Sequence, residues 1–83
     1  MGKDEFTPKP DIKKGLYRHY SGKPYEVIDV VCHSETREWL VLYKRRYERE
    51  GPELWVRPAD MFVENVEYQG QQMPRFTYIG DAL

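Results

Sequence analysis

Apolar and polar positions alternate most regularly over residues 25–46, where Tyr-Glu-Val-Ile-Asp-Val-Val-Cys-His and Glu-Trp-Leu-Val-Leu-Tyr-Lys-Arg-Arg flank the polar interruption Ser-Glu-Thr-Arg. β-Branched and aromatic runs around a short polar break predict one long β-hairpin. With residues 34–37 as its loop, His33 falls opposite Glu38, Cys32 opposite Trp39, Val30 opposite Val41 and Ile28 opposite Tyr43. The last three pairs are apolar on both strands and define the core face. The other face pairs Val31 with Leu40, Asp29 with Leu42 and Val27 with Lys44, a mixed set suited to a partly wet surface. A slip of one residue would divide the apolar set between the faces, so patterning pins the register.

The flanks supply shorter strands. Residues 15–20 read as a strand, and Ser21-Gly22-Lys23-Pro24 has turn chemistry. If Tyr20 faces Tyr25, Tyr17 lies beside Ile28, and His19 beside Glu26, itself opposite Arg45, in a polar row at one end of the core. Residues 54–57 form a fourth strand stopped by Pro58. Residues 59–62 form one helical or 3-10 turn that inserts Met61 and Phe62 into the barrel mouth. Residues 63–68 are a short strand or extended link, and residues 74–79 close as the last strand. The expected fold is mainly β: a small SH3-like, partly open five-stranded barrel with one short helical or 3-10 turn. Residues 1–14, with Pro8, Pro10 and little to bury apart from Ile12, are expected to be a flexible N-terminal arm. Residues 15–79 are the barrel domain and residues 80–83 a tail.

Composition narrows the function. Eighty-three residues make one domain, which buries only about 60% of its unfolded surface, so the seven Tyr, three Phe and two Trp carry much of the burial energy. Thirteen basic and fourteen acidic residues leave no overall field towards nucleic acid or an anionic membrane. One cysteine excludes an internal disulfide framework, and there is neither an apolar run of membrane-spanning length nor a signal-peptide core. A cytoplasmic location is the expectation.

Five residues are the candidate binding set: Arg18, His19, His33, Arg57 and Arg75. Each arginine sits among aromatic or Pro neighbours in a strand, where it can stack on a ring or grip a carboxylate or phosphate; the competing reading is a stem lying over apolar surface and paired with Glu26, Asp60 or Glu64. Two of the three are expected to converge. His33-Ser34-Glu35 is not read as a catalytic triad, because neighbouring strand residues point to opposite faces. His19, His33 and Cys32 do not converge as metal ligands, and the glycines are isolated turn residues rather than a phosphate loop, so neither metal nor cofactor is expected. Residues 44–49 form a basic patch with an interleaved Tyr47, neutralised within a few positions by Glu48, Glu50 and Glu53. Tyr17, Tyr25, Tyr43, Trp55 and Tyr78 are either a cage for a cationic group or core filling.

The blocks Tyr17-Arg18-His19-Tyr20, Tyr25-Glu26-Val27, His33-Ser34-Glu35-Thr36, Leu54-Trp55-Val56-Arg57-Pro58 with Met61-Phe62, and Pro74-Arg75-Phe76 together resemble a small bacterial family, domain of unknown function number sixteen fifty-three. The resemblance spans residues 15–79. It implies an SH3-like barrel and no particular activity. The reading is a small cytosolic, non-enzymatic binding or interaction module whose partner is a protein or a small anionic ligand. The alternatives are an accessory nucleic-acid-binding domain using residues 44–49, and an enzyme-associated domain that binds a small anionic ligand through His19 and the arginines. No membrane role is expected.

Overall fold

The computed structural model describes residues 7–82. Its strands are β1 (Gly15–His19), β2 (Pro24–Cys32), β3 (Trp39–Arg45), β4 (Leu54–Pro58), β5 (Asn65–Tyr68), β6 (Gln71–Pro74) and β7 (Phe76–Gly80), with one helical turn α1 (Ala59–Phe62) after β4. Five strands form an antiparallel sheet in the order β4-β3-β2-β1-β7. β5 and β6 pair with each other in a second, two-stranded sheet. The protein is mainly β, as expected, and the five-stranded sheet is open, with β4 and β7 as its edges.

The central hairpin is β2-β3. Cys32 lies opposite Trp39, Val31 opposite Leu40, Val30 opposite Val41 and Asp29 opposite Leu42, and the His33 N–H donates to the Glu38 carbonyl at 2.8 Å. Beyond Asp29 the expected register fails. Val27, not Ile28, is opposite Tyr43, because Ile28 is an extra residue in a β-bulge. The physical reason is phase. Val27 and Val30 are both buried, and residues three apart on a regular strand point to opposite faces, so one inserted residue is needed to bring both inward. The Asp29 carboxylate accepts the Val30 N–H at 2.8 Å and so satisfies a donor at the bulge.

The β1-β2 hairpin also closes differently. Tyr17 faces Tyr25 and Leu16 faces Glu26, so the expected Tyr20–Tyr25 pair and the His19, Glu26, Arg45 row do not form. The loop is residues 20–22, closed by the His19 N–H on the Lys23 carbonyl at 2.9 Å, and Gly22 takes φ 101°. A three-residue loop needs that left-handed position, which glycine adopts without a steric cost. Pro24 then begins β2, the strand position where a missing N–H does least harm.

The core consists of Tyr17, Val27, Val41, Tyr43, Ala59, Phe62 and Phe76, with Ile12, Tyr25, Trp39 and Tyr78 packed against it. Pro58, with its φ preset, turns the chain into α1, whose Ala59 and Phe62 are buried. Phe62 stacks on Phe76 at 4.2 Å between ring centroids and meets Tyr17 and Tyr43 edge-on. Met61, expected to insert beside Phe62, is exposed instead, because a single helical turn can direct only one side of itself at the sheet. Cys32 and Trp39 are neighbours as expected, yet both are only half-buried, since they lie at the end of the hairpin rather than at its middle.

Within the expected arm, residues 7–14 form no strand but touch the sheet. The Trp39 indole donates to the Thr7 carbonyl, Tyr17 Oη donates to the Lys13 carbonyl, and Lys9 and Lys14 lie 3.7 and 3.9 Å from Asp29. Residues 1–6 of that arm lie outside the described residues. Among the described residues no helix is long and apolar enough to cross a membrane.

Candidate binding site

Alternation along β3 and β4 builds the site. Trp55 faces Tyr43 and Arg57 faces Val41, so both β4 side chains fall on the core face. β4 is an edge, so this pair lies at the rim of the core rather than inside it: Trp55 is 44% exposed and Arg57 half-buried, while Tyr43 beneath them is buried. Arg57 Nε donates a long hydrogen bond, 3.4 Å, to Tyr43 Oη, and its guanidinium carbon lies 5.9 Å from the Phe76 ring centroid.

The segment after β3 folds back on this rim because Arg45 ties it down. Its guanidinium donates to the carbonyls of Tyr47, Gly51 and Pro52 at 2.7, 3.0 and 3.2 Å. Tyr47 is thereby set against Tyr25, their hydroxyls 2.8 Å apart. Burial, followed by this hydrogen bond, pushes Tyr25 up to about 12, whereas Tyr47 is lowered by the same hydrogen bond and by the Arg49 guanidinium beside it. Tyr25, Tyr43, Arg45, Tyr47, Arg49, Trp55 and Arg57 enclose a pocket of about 190 Å³.

His19 adjoins the pocket through Tyr25 and Phe76, whose ring centroids lie 6.0 and 5.0 Å from its own. Burial, then Arg57, then Arg75 lower its pKa. The imidazole Nδ1 accepts the Ser21 N–H at 3.2 Å and lies 2.8 Å from Ser21 Oγ. Arg57 and Arg75 thus both act on one imidazole, although Arg75 is itself occupied, with Nε on the Met61 carbonyl and Nη2 on Glu64 at 2.7 Å. Arg18 follows the buried Tyr17 in β1 and is exposed on the other face. His33 lies at the far end of β2, where its Nδ1 accepts the N–H groups of Glu35 and Thr36 and organises the loop. Of the five candidates, then, His19 and Arg57 share the Phe76 ring, Arg75 is held by Met61 and Glu64, and Arg18 and His33 lie apart from them.

Sequence reasoning placed Tyr25, Tyr43 and Trp55 in a possible cage but grouped them with Tyr17 and Tyr78, which pack on each other elsewhere. It also set Tyr47 and Arg49 aside as part of a charged loop. Arg45, Arg49 and Arg57 around the rings make the pocket electropositive, which opposes a cationic guest. The rest of the basic patch is engaged: Arg46 lies 3.0 Å from Glu26, and Lys44 lies 4.0 Å from Glu53. Among the described residues no three His, Cys, Asp or Glu side chains are grouped to hold a metal ion.

Comparison with known proteins gives one consistent result. Residues 15–78 match the family described as "Protein of unknown function (DUF1653)". The fold is also similar to the crystal structure of a DUF1653 protein from Bordetella bronchiseptica, with a TM-score of 0.85 and 33% sequence identity over 92% of this chain and 97% of that one. No curated protein matches.

Proposed function

This chain belongs to the DUF1653 family of proteins of unknown function, and for it we propose a non-enzymatic binding role centred on the Tyr25-Tyr43-Arg57 pocket. Its guest is an anionic group, carboxylate or phosphate, carried by a protein or a small molecule. The observation that carries this reading is that Arg49 and Arg57, from two separate segments, line one pocket together with Tyr25, Tyr43 and Tyr47. A guanidinium has five N–H donors, and among the described residues Arg57 directs one, at 3.4 Å, to Tyr43. The remaining fork suits bidentate recognition of an oxyanion, while Trp55 and Tyr47 give an attached ring a surface to stack on.

Binding is favoured over turnover because His19 meets Ser21 only in a local turn, Nδ1 accepting the Ser21 N–H at 3.2 Å and lying 2.8 Å from its Oγ, and among the described residues the imidazole has no carboxylate partner to orient it as a catalytic base. A protein or small-molecule guest is favoured over nucleic acid because Lys44, Arg45 and Arg46 are occupied by Glu53, backbone carbonyls and Glu26. The single, half-buried Cys32 thiol suits a reducing, cytoplasmic setting.

The test is calorimetric titration of the full chain with phenyl phosphate, inorganic phosphate and a single-stranded oligonucleotide. We expect phenyl phosphate to bind more tightly than inorganic phosphate, and Arg57→Gln to weaken it about ten- to a hundredfold, the range of one lost charge-assisted hydrogen-bond set. Equal binding by Arg57→Gln would remove the pocket from the account. Tight, strongly salt-dependent binding of the oligonucleotide alone would replace the reading with the nucleic-acid one.

A further inference from the structure

A second groove lies at the other end of β3. Its floor is Trp39 and Pro58, Glu38 and Asp60 stand on its rim, and one wall is the chain's own Thr7, Pro8 and Pro10. About 410 Å³ remains open beside that wall, so the segment lies along the groove without filling it. The contact is specific as well as apolar: Trp39 Nε1 donates to the Thr7 carbonyl at 2.9 Å, across 32 positions of sequence.

The local chemistry of this segment is unusually restricted. Pro8 and Pro10 fix φ near −65°, and Thr7 and Lys9, each preceding a proline, are pushed out of the helical region towards extended backbone. All four residues are therefore biased to a polyproline-type conformation before they dock. An extended backbone of this kind has carbonyls without ladder partners, and an indole N–H on an aromatic surface, as Trp39 offers to Thr7, is the complement that recognises it at low entropic cost. Lys9 reaches beyond the groove to Asp29, 3.7 Å away, which adds a charge contact to the apolar seat.

We propose that the Trp39–Pro58 groove is a docking site for extended Pro-Lys-Pro segments, that residues 7–10 occupy it within the chain, and that a partner protein carrying such a segment exchanges with them. The acidic rim of Glu38 and Asp60 favours a partner segment with additional basic residues, and the unfilled volume admits bulkier side chains than Thr7 offers. The tether makes the internal segment a strong competitor, since a short linker gives an effective concentration of about a millimolar. The groove is thus a site with a resident occupant, distinct from the tyrosine and arginine pocket.

The test keeps the full chain and replaces both prolines, Pro8→Ala with Pro10→Ala. A synthetic peptide reproducing residues 5–12 is then titrated into the native chain and the variant, with the Trp39 indole N–H followed by NMR and assigned with Trp39→Phe. We expect the variant to show faster indole exchange with solvent, and to bind the peptide about tenfold or more tightly than the native chain does, the advantage of a vacated tethered site. Trp39→Phe introduced into that variant should lose the peptide. Unchanged indole exchange in the variant, equal affinity for the two chains, or no affinity for either would overturn the proposal. So would equal binding of a peptide with both prolines replaced by alanine, which would remove the polyproline chemistry. A doubled mass by light scattering for the native chain but not the variant would mean that the segment is exchanged between two copies, and would overturn occupancy within one chain.

Discussion

Tyr25 and Tyr47 meet hydroxyl to hydroxyl at 2.8 Å, and they ionise on opposite sides of the ordinary tyrosine value. Tyr25 is raised by burial and then by the shared hydrogen bond, and Tyr47 is lowered by that bond and by Arg49. Spectrophotometric titration should show one tyrosine ionising earlier than the rest and another delayed to about 12. Tyr47→Phe should abolish the early step and bring the delayed one forward. A bound anion beside Arg49 should move the early step upward, which makes the same titration a reporter on the pocket. An unaltered curve in Tyr47→Phe would mean that the pair is not formed in solution.

His19 sets an acid limit on stability. Its folded pKa is lowered by burial and by Arg57 and Arg75, so the unfolded chain takes up a proton at a higher pH than the folded one. Its contribution is complete above the ordinary histidine value and declines as pH falls from there through the lowered folded value. Denaturation midpoints should fall over that interval in the native chain, and His19→Gln should flatten the profile. Further into the acid range, Asp29 behaves with the same sign. Its pKa is lowered by the Val30 N–H and then by Lys14 and Lys9, so its contribution is present above the ordinary carboxylate value and lost as pH falls through its own. If His19→Gln left the near-neutral slope intact, another group would have to supply it.

The bulge yields an expectation about chain length. Deleting Ile28 leaves Val27 and Val30 two positions apart and in phase, so the ladder from Val27 opposite Tyr43 to Val30 opposite Val41 becomes regular. That variant should still unfold cooperatively, with a modest change in midpoint. Deleting Leu42 does the reverse and sends Val41 and Tyr43 to opposite faces, and it should abolish the cooperative transition. Equal damage from the two deletions, measured by urea unfolding, would show that the bulge is needed for more than phase.

Phe62 and Met61 are adjacent and should respond very differently. Phe62 is 2% exposed and packs on Phe76, Tyr17 and Tyr43, so Phe62→Ala should cost about 3 to 5 kcal/mol. Met61→Ala should stay within about 0.5 kcal/mol, as for an exposed side chain. Comparable losses would place Met61 inside after all.

The distal half of the central hairpin was legible because Val30, Cys32, Trp39 and Val41 give the same phase on both strands. The proximal half was not. Val27-Ile28 is a β-branched pair in which either residue could face inward, and nothing local distinguishes a bulge from a regular step. The β1-β2 register was misread for a related reason: Tyr20 and Tyr25 look like a cross-strand pair, whereas Gly22 sets a three-residue loop that moves the partner of Tyr25 to Tyr17. α1 was readable from Pro58 and the apolar residues after it, but which of Met61 and Phe62 turns inward depends on where the helical turn sits over the sheet. In the site, the arginines could be found from their ring and Pro neighbours, whereas the approach of Tyr47 and Arg49 to Tyr25 depends on Arg45 binding three backbone carbonyls, which leaves no mark on hydrophobic periodicity.

The β5-β6 hairpin leaves the five-stranded sheet and returns to it at a single gate, where the Arg75 N–H donates to the Glu64 carbonyl at 3.1 Å and the two side chains form an ion pair. An excursion whose ends are already joined can change in size without transmitting the change to its host. The Tyr68-Gln69-Gly70-Gln71 tip, with both central residues at positive φ, is therefore a natural splice point for a guest sequence: a tag, an epitope or a second domain would extend the hairpin while Phe76 re-enters the core at the same place.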